Sequence, residues 1–225
     1  MAYYPLFLDL ADADILVIGA GSVGRRKIAS LLKAAPHSVT VLDPFLDSDA
    51  ARELEASGPV VCLARGFDPA DLPGKTLVFA ATGNPEVNAL ITGLCRANGI
   101  LCNSVTGPDT GSFIVPAHFS NGDILVALST GGQSPALARK LREDLEAWLG
   151  KRYTPLLSVL GRLRPLLLEL GLSSDENSAV FRSLARSALA DLLERGDLAE
   201  AETLLTDHLP LALHARVGEL LHEPG

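Results

Sequence analysis

The chain has 225 residues, 48% of them hydrophobic and 20% charged, and a formal net charge of −8. At about 100–200 residues per domain, that length suits one large domain or one domain with appendages. High apolar content with low charge per residue argues against disorder, and the acidity argues against a general nucleic-acid or anionic-membrane binder, leaving room for a local basic pocket.

No apolar run approaches the ~20 residues needed to cross a bilayer. The opening stretch MAYYPLFLDLADAD has no basic segment and meets Asp9 at once, so no signal peptide is expected. Cys62, Cys95 and Cys102 lack CxxC spacing, which predicts reduced thiols, no metal site and a cytoplasmic setting.

In chain order, the short apolar runs at 15–18, 38–42, 60–63, 76–80 and 100–105 read as buried parallel strands. Helical periodicity lies between several of them: Ile28, Leu31, Leu32 and Ala35, then Val87, Leu90, Ile91 and Leu94. This alternation predicts an α/β fold with a parallel sheet over residues 1–112. Residues 112–115 and 124–128 read as two further strands joined through Asn121, Gly122 and Asp123. Ser134 and Pro135 then open a helix whose apolar stripe is Leu137, Leu141, Leu145, Trp148 and Leu149. Residues 113–150 thus form a strand-turn-strand-helix segment. Residues 151–225 carry only helix signals, broken at 171–175, at Arg195 and Gly196, and at Pro210.

Gly19-Ala20-Gly21-Ser22-Val23-Gly24 follows the first strand and opens the first helix. Glycines at this spacing permit a tight turn, close approach of backbone to a pyrophosphate, and close helix–strand packing. The helix amino end then offers N–H groups to the phosphates. Asp43, at the end of the second strand, can accept ribose hydroxyls and would repel a 2′-phosphate, which favours NAD over NADP. Thr82 and Gly83 follow the fourth strand, on the ligand edge of such a sheet, and are candidate contacts to the nicotinamide ribose. Arg25, Arg26 and Lys27 either form a solvated first turn or meet an anion.

These residues, with Tyr4–Phe7, Asn88, Asn103–Val105, Ser112–Ala117 and Leu128–Arg139, resemble the N-terminal module of siroheme synthases. That family contains precorrin-2 dehydrogenases, some of which are also sirohydrochlorin ferrochelatases. The resemblance covers about residues 3–150, and beyond them the likeness is only in being helical. It implies a Rossmann domain over 1–112, a dimerisation segment over 113–150 and a helical C-terminal domain over 151–225. It also implies a homodimer, precorrin-2 as substrate, NAD as cofactor, and contacts to it from Ser22, Val23, Asp43 and Pro44. The family's aspartate after the fifth strand is replaced by Thr106, which argues against metal insertion, since a hydroxyl neither takes up a proton nor holds a metal as a carboxylate does. Asp109, three residues on, is a partial substitute.

Precorrin-2 carries many carboxylates, so an acidic protein needs a local site for them. Ser129, Thr130, Gly131, Gly132 and Ser134 supply hydroxyls, open backbone and a helix start, with Arg139 in the next turn. His118 is either a proton acceptor for the oxidation or an ordinary loop histidine. The residues favour an NAD-dependent precorrin-2 dehydrogenase. The alternatives are a bifunctional dehydrogenase/ferrochelatase and a catalytically silent regulator that binds NAD or tetrapyrrole.

Overall fold

A computed structural model describes residues 3–107, 110–150 and 152–222. It divides into two compact units, 1–115 and 116–225. The first holds a five-stranded parallel sheet in the order β3-β2-β1-β4-β5. Its strands are β1 (Asp14–Ile18), β2 (Ser38–Leu42), β3 (Val60–Leu63), β4 (Leu77–Ala80) and β5 (Leu101–Ser104). The helices between them are α1 (Ser22–Leu32), α2 (Ser48–Ala56) and α3 (Pro85–Ala97). The central strands are apolar on both faces because both faces are covered. Ile15, Val17, Val39 and Phe79 pack with Ile28 and Leu31 of α1, while Leu16, Ile18, Val78 and Cys102 pack with Ile91 and Cys95 of α3. The parallel strands carry the loops after β1, β2, β4 and β5 to one edge.

The second unit begins with a hairpin, β6 (Ala117–Asn121) and β7 (Ile124–Leu128), followed by α4 (Pro135–Leu149). Five further helices follow: α5 (Tyr153–Glu169), α6 (Ser174–Arg186), α7 (Leu189–Arg195), α8 (Leu198–His208) and α9 (Val217–Leu221). Their leucine-rich stripes close on one another through Leu163, Leu167, Leu184, Leu189, Leu205 and Leu220. Arg162 of α5 donates two hydrogen bonds to the Leu220 carbonyl, at 3.0 and 2.6 Å. Thr154 of α5 donates to Asn121 Oδ1 at 3.2 Å, holding the hairpin turn.

The structure corrects one strand. Residues 112–115 are not the hairpin partner of β7; that partner is β6, with Asn121 facing Ile124. The apolar run serves the sheet edge instead. Ser112 N donates to the Cys102 carbonyl and Ser112 Oγ accepts from Cys102 N, each at 2.8 Å. Phe113 then meets the Phe79 ring edge-on at 5.6 Å between centroids. Ser112 in this way pairs both backbone groups that Cys102 presents at the open edge of the sheet. Among the described residues no helix is long and apolar enough to cross a membrane.

Candidate functional site

The turn after β1 is built by what its glycines exclude. Gly19 has φ +99°, and a Cβ there would come within 2.4 Å of the Ala81 carbonyl oxygen. At Gly24 a Cβ would stand 1.9 Å from the Gly19 carbonyl oxygen. Gly21 is different: a Cβ would meet nothing within 4 Å, so the space above it is open. Gly21 also caps α1, with no side-chain hydrogen bond and no acid in the first turn. In contrast, Asp47 caps α2 and Asn84 caps α3 through their side chains. Among the α-helices described in this unit, α1 leaves its amino end without a side-chain cap, unlike α2 and α3, and that end attracts anions.

Asp43 holds the turn from the next strand. Its Oδ2 accepts from Ala20 N at 2.7 Å and its Oδ1 from Phe45 N at 2.8 Å. Both oxygens retain lone pairs for a ribose hydroxyl. Pro44 and Phe45 form the exposed turn beyond it, the Phe45 ring 92% exposed. The sequence reading missed Phe45, although an apolar ring two residues after the acid was a visible signal.

Arg25 is taken up by structure: Nε donates to the Ala20 carbonyl at 3.0 Å, and Nη1 lies 3.8 Å from Glu53. Lys27 sits over the Phe79 ring at 5.4 Å, and burial, then the neighbouring Arg26 charge, pull its pKa below the usual lysine value.

A buried amide joins the loops after β4 and β5. Asn88 of α3 is 1% exposed. Its Oδ1 accepts from Thr82 N at 3.1 Å and from Thr82 Oγ1 at 2.7 Å. Its Nδ2 donates to the Thr82 carbonyl at 3.0 Å and to Thr106 Oγ1 at 3.1 Å. The sequence reading assigned Asn88 no role; the signal was a polar residue on the inward face of an amphipathic helix, one turn before Ile91.

The structure thus gathers Gly19, Gly21, Ser22, Val23, Gly24, Asp43, Pro44, Thr82, Gly83 and Thr106 on one edge of the first unit. His118 and residues 129–139 belong to the second unit. His118 is not in a loop between strands: it lies within β6, with ring Nδ1 3.0 Å from the Pro116 carbonyl. Thr130 Oγ1 and Ser129 Oγ are hydrogen-bonded within their own turn, where Gly131 and Gly132 have φ +63° and +83°. Ser134 Oγ accepts from Leu137 N as the cap of α4. Arg139 pairs with Glu143 at 3.0 Å on the exposed helix face, a weak contact that a ligand carboxylate could replace. Asp109 lies outside the described residues.

A glycine turn opening an uncapped helix, with a carboxylate at the next strand end, defines a dinucleotide-binding α/β protein of the NAD(P) type. Residues 6–117 match a family model described as "Putative NAD(P)-binding", and 121–147 match one described as "Sirohaem biosynthesis protein central". Over these residues the chain is similar to the NAD(P)-binding and central modules of siroheme synthases. It is 40% identical over 205 residues to siroheme synthase 1 of Aeromonas salmonicida, covering 91% of this chain and 43% of that one. A siroheme synthase of Pseudomonas aeruginosa is 34% identical over 221 residues, covering 98% and 47%. The chain therefore spans less than half the length of these relatives. The solved structure named SirC, precorrin-2 dehydrogenase, shares the fold, with a TM-score of 0.70, 24% identity and coverage of 97% and 98%.

Proposed function

We propose that the chain oxidises precorrin-2 to sirohydrochlorin with NAD⁺. The observation that carries this reading is the open α1 amino end above Gly21, beside the Asp43 carboxylate. Ser22 and Val23 would offer N–H groups to the pyrophosphate, Asp43 and Pro44 would border the adenosine ribose, and the Phe45 ring gives the adenine a surface to stack on. Thr82 and Gly83 would flank the nicotinamide. Bound NAD⁺ supplies the hydride acceptor; the chain's own task is to bind and orient the two molecules. The substrate identity draws on the names of the relatives and on the shared fold.

The second unit completes the reading. Ser129, Thr130, Gly131, Gly132, Ser134 and Arg139 would receive substrate carboxylates, and His118 would accept the proton lost with the hydride. Residues 113–150 would form the dimerisation segment and 151–225 a helical domain. In α4, Leu137, Leu141, Leu145 and Trp148 are 50, 40, 39 and 62% exposed, an apolar stripe that a second copy of the chain would cover. Thr106 in the acid position argues against metal insertion. The deciding assay mixes protein, NAD⁺ and precorrin-2 without oxygen: formation of NADH with sirohydrochlorin is expected. NAD⁺ binding without turnover would favour a silent regulator.

A further inference from the structure

The four hydrogen bonds of Asn88 fix the direction in which a neighbouring proton points. The Thr82 backbone N–H can only donate, so the atom facing it at 3.1 Å must be the amide oxygen. The Thr82 backbone carbonyl can only accept, so the atom facing it at 3.0 Å must be the amide nitrogen. These two backbone groups settle the orientation of the side-chain amide. The second proton on Nδ2 is then directed at Thr106 Oγ1, 3.1 Å away. Thr106 must accept there, which occupies one lone pair and turns its own hydroxyl proton elsewhere. No group among the described residues accepts that proton, and Thr106 is exposed on the edge of the sheet where β4 and β5 end.

We propose that Asn88 is a positioning residue that presents the Thr106 hydroxyl outward as a hydrogen-bond donor to an oxygen acceptor on the bound ligand. The inference rests on the dinucleotide reading of this sheet edge and deepens it. The acceptor is a carboxamide or carboxylate oxygen, belonging to the nicotinamide or to the tetrapyrrole. Asn88 needs to touch neither. Its burial keeps water from competing for the amide, and its bonds to Thr82 and Thr106 tie both loops to α3.

Two isosteric substitutions test this. Thr106→Val deletes the hydroxyl and keeps its bulk. Asn88→Asp keeps an acceptor for Thr82 N but has no proton for Thr106, whose hydroxyl must then turn inward and donate to the new carboxylate. Each variant is expected to lose about 5–10-fold in one affinity, the value of a single hydrogen bond. Calorimetric titration with NAD⁺ and fluorescence titration with precorrin-2 distinguish the two sources of the acceptor. The double variant Asn88→Asp/Thr106→Val is expected to bind no worse than Thr106→Val alone, whatever its melting temperature. Additive losses in the double variant, or full affinity for both ligands in Thr106→Val, would overturn the proposal. Should Asn88→Asp not fold, Thr106→Ser must retain the affinity that Thr106→Val loses, and equal losses in the two overturn it. The wild-type NAD⁺ titration separates this from the parent reading: no binding there defeats both, whereas binding without turnover defeats only the dehydrogenase assignment.

Discussion

The Asp43 carboxylate accepts the Ala20 amide proton across 2.7 Å, tying the end of β2 to the middle of the glycine turn. The carboxylate therefore shapes the site as well as lining it. Asp43→Asn removes the charge and can offer only one good acceptor where two amides now donate. NAD⁺ affinity is expected to fall about tenfold, in keeping with one charge-assisted hydrogen bond. Discrimination against NADP⁺ should narrow at the same time, because repulsion of a 2′-phosphate is gone. Calorimetric dissociation constants for both nucleotides check this, and an unchanged ratio between them would rule it out.

The three glycines separate architecture from ligand contact. Gly24→Ala drives a methyl to 1.9 Å from the Gly19 carbonyl oxygen, so a stability loss of about 3 kcal/mol or more is expected in urea unfolding. Gly21→Ala has an ordinary φ of −66° and empty space around it, so the stability loss should stay near the cost of alanine at a helix N-cap, about 1 kcal/mol. Its methyl nevertheless projects where a pyrophosphate would approach, and NAD⁺ affinity should drop at least about tenfold. A Gly21→Ala protein that binds NAD⁺ normally would move the phosphates away from this turn.

The first unit was legible because its signals are local. Each strand is an apolar run of β-rich residues, and the glycine spacing names its own turn. The break came where one apolar run could serve two purposes: residues 112–115 cover the β5 edge, while the true hairpin strand, Ala-His-Phe-Ser-Asn, buries only Phe119 and so barely registers. Asn88 was hidden for another reason. Its four hydrogen bonds reach two separate loops, at Thr82 and at Thr106, and only the fold brings Thr106 to an amide 18 residues away in sequence.

Lys27 gives the stability of the first unit a pH signature. Burial, then the charge of Arg26, lowers its pKa from the usual 10.5. Between the lowered value and 10.5 the unfolded chain holds more protons than the folded one, so stability rises with pH across that window. Below it the full penalty of a half-buried charge is present. Lys27→Met should therefore unfold at higher urea than the wild type at neutral pH, and the gap should close as the solution becomes alkaline. Lower stability at neutral pH would mean that the contact with the Phe79 ring outweighs desolvation.

Thr106→Asp tests the missing acid directly. Asn88 Nδ2 would donate to the new carboxylate and favour its ionised form. Insertion of Co²⁺ into sirohydrochlorin, followed by absorbance, is expected to rise at least about tenfold over the wild type. A wild type that already inserts the metal as fast as the variant would restore the bifunctional alternative.

The stripe on α4 is the last feature with a physical cost to explain. Leu137, Leu141, Leu145 and Trp148 recur at helical spacing, yet each is at least 39% exposed in the single chain. Fully burying one such side chain is worth roughly 1.5–3 kcal/mol, so four left in water forgo a large stabilisation that a two-fold pairing would recover. Charged neighbours on the same helix already pair among themselves, Arg139 with Glu143 and Arg142 with Glu146, and leave the stripe clear. The wild type should sediment at about twice its 23.7 kDa chain mass. Leu141→Glu places a charge in the middle of the stripe and should yield single chains. NAD⁺ affinity should hold in that variant, because the glycine turn and Asp43 belong to the other unit. A wild type that sediments as single chains at micromolar concentration would leave the stripe to a different partner.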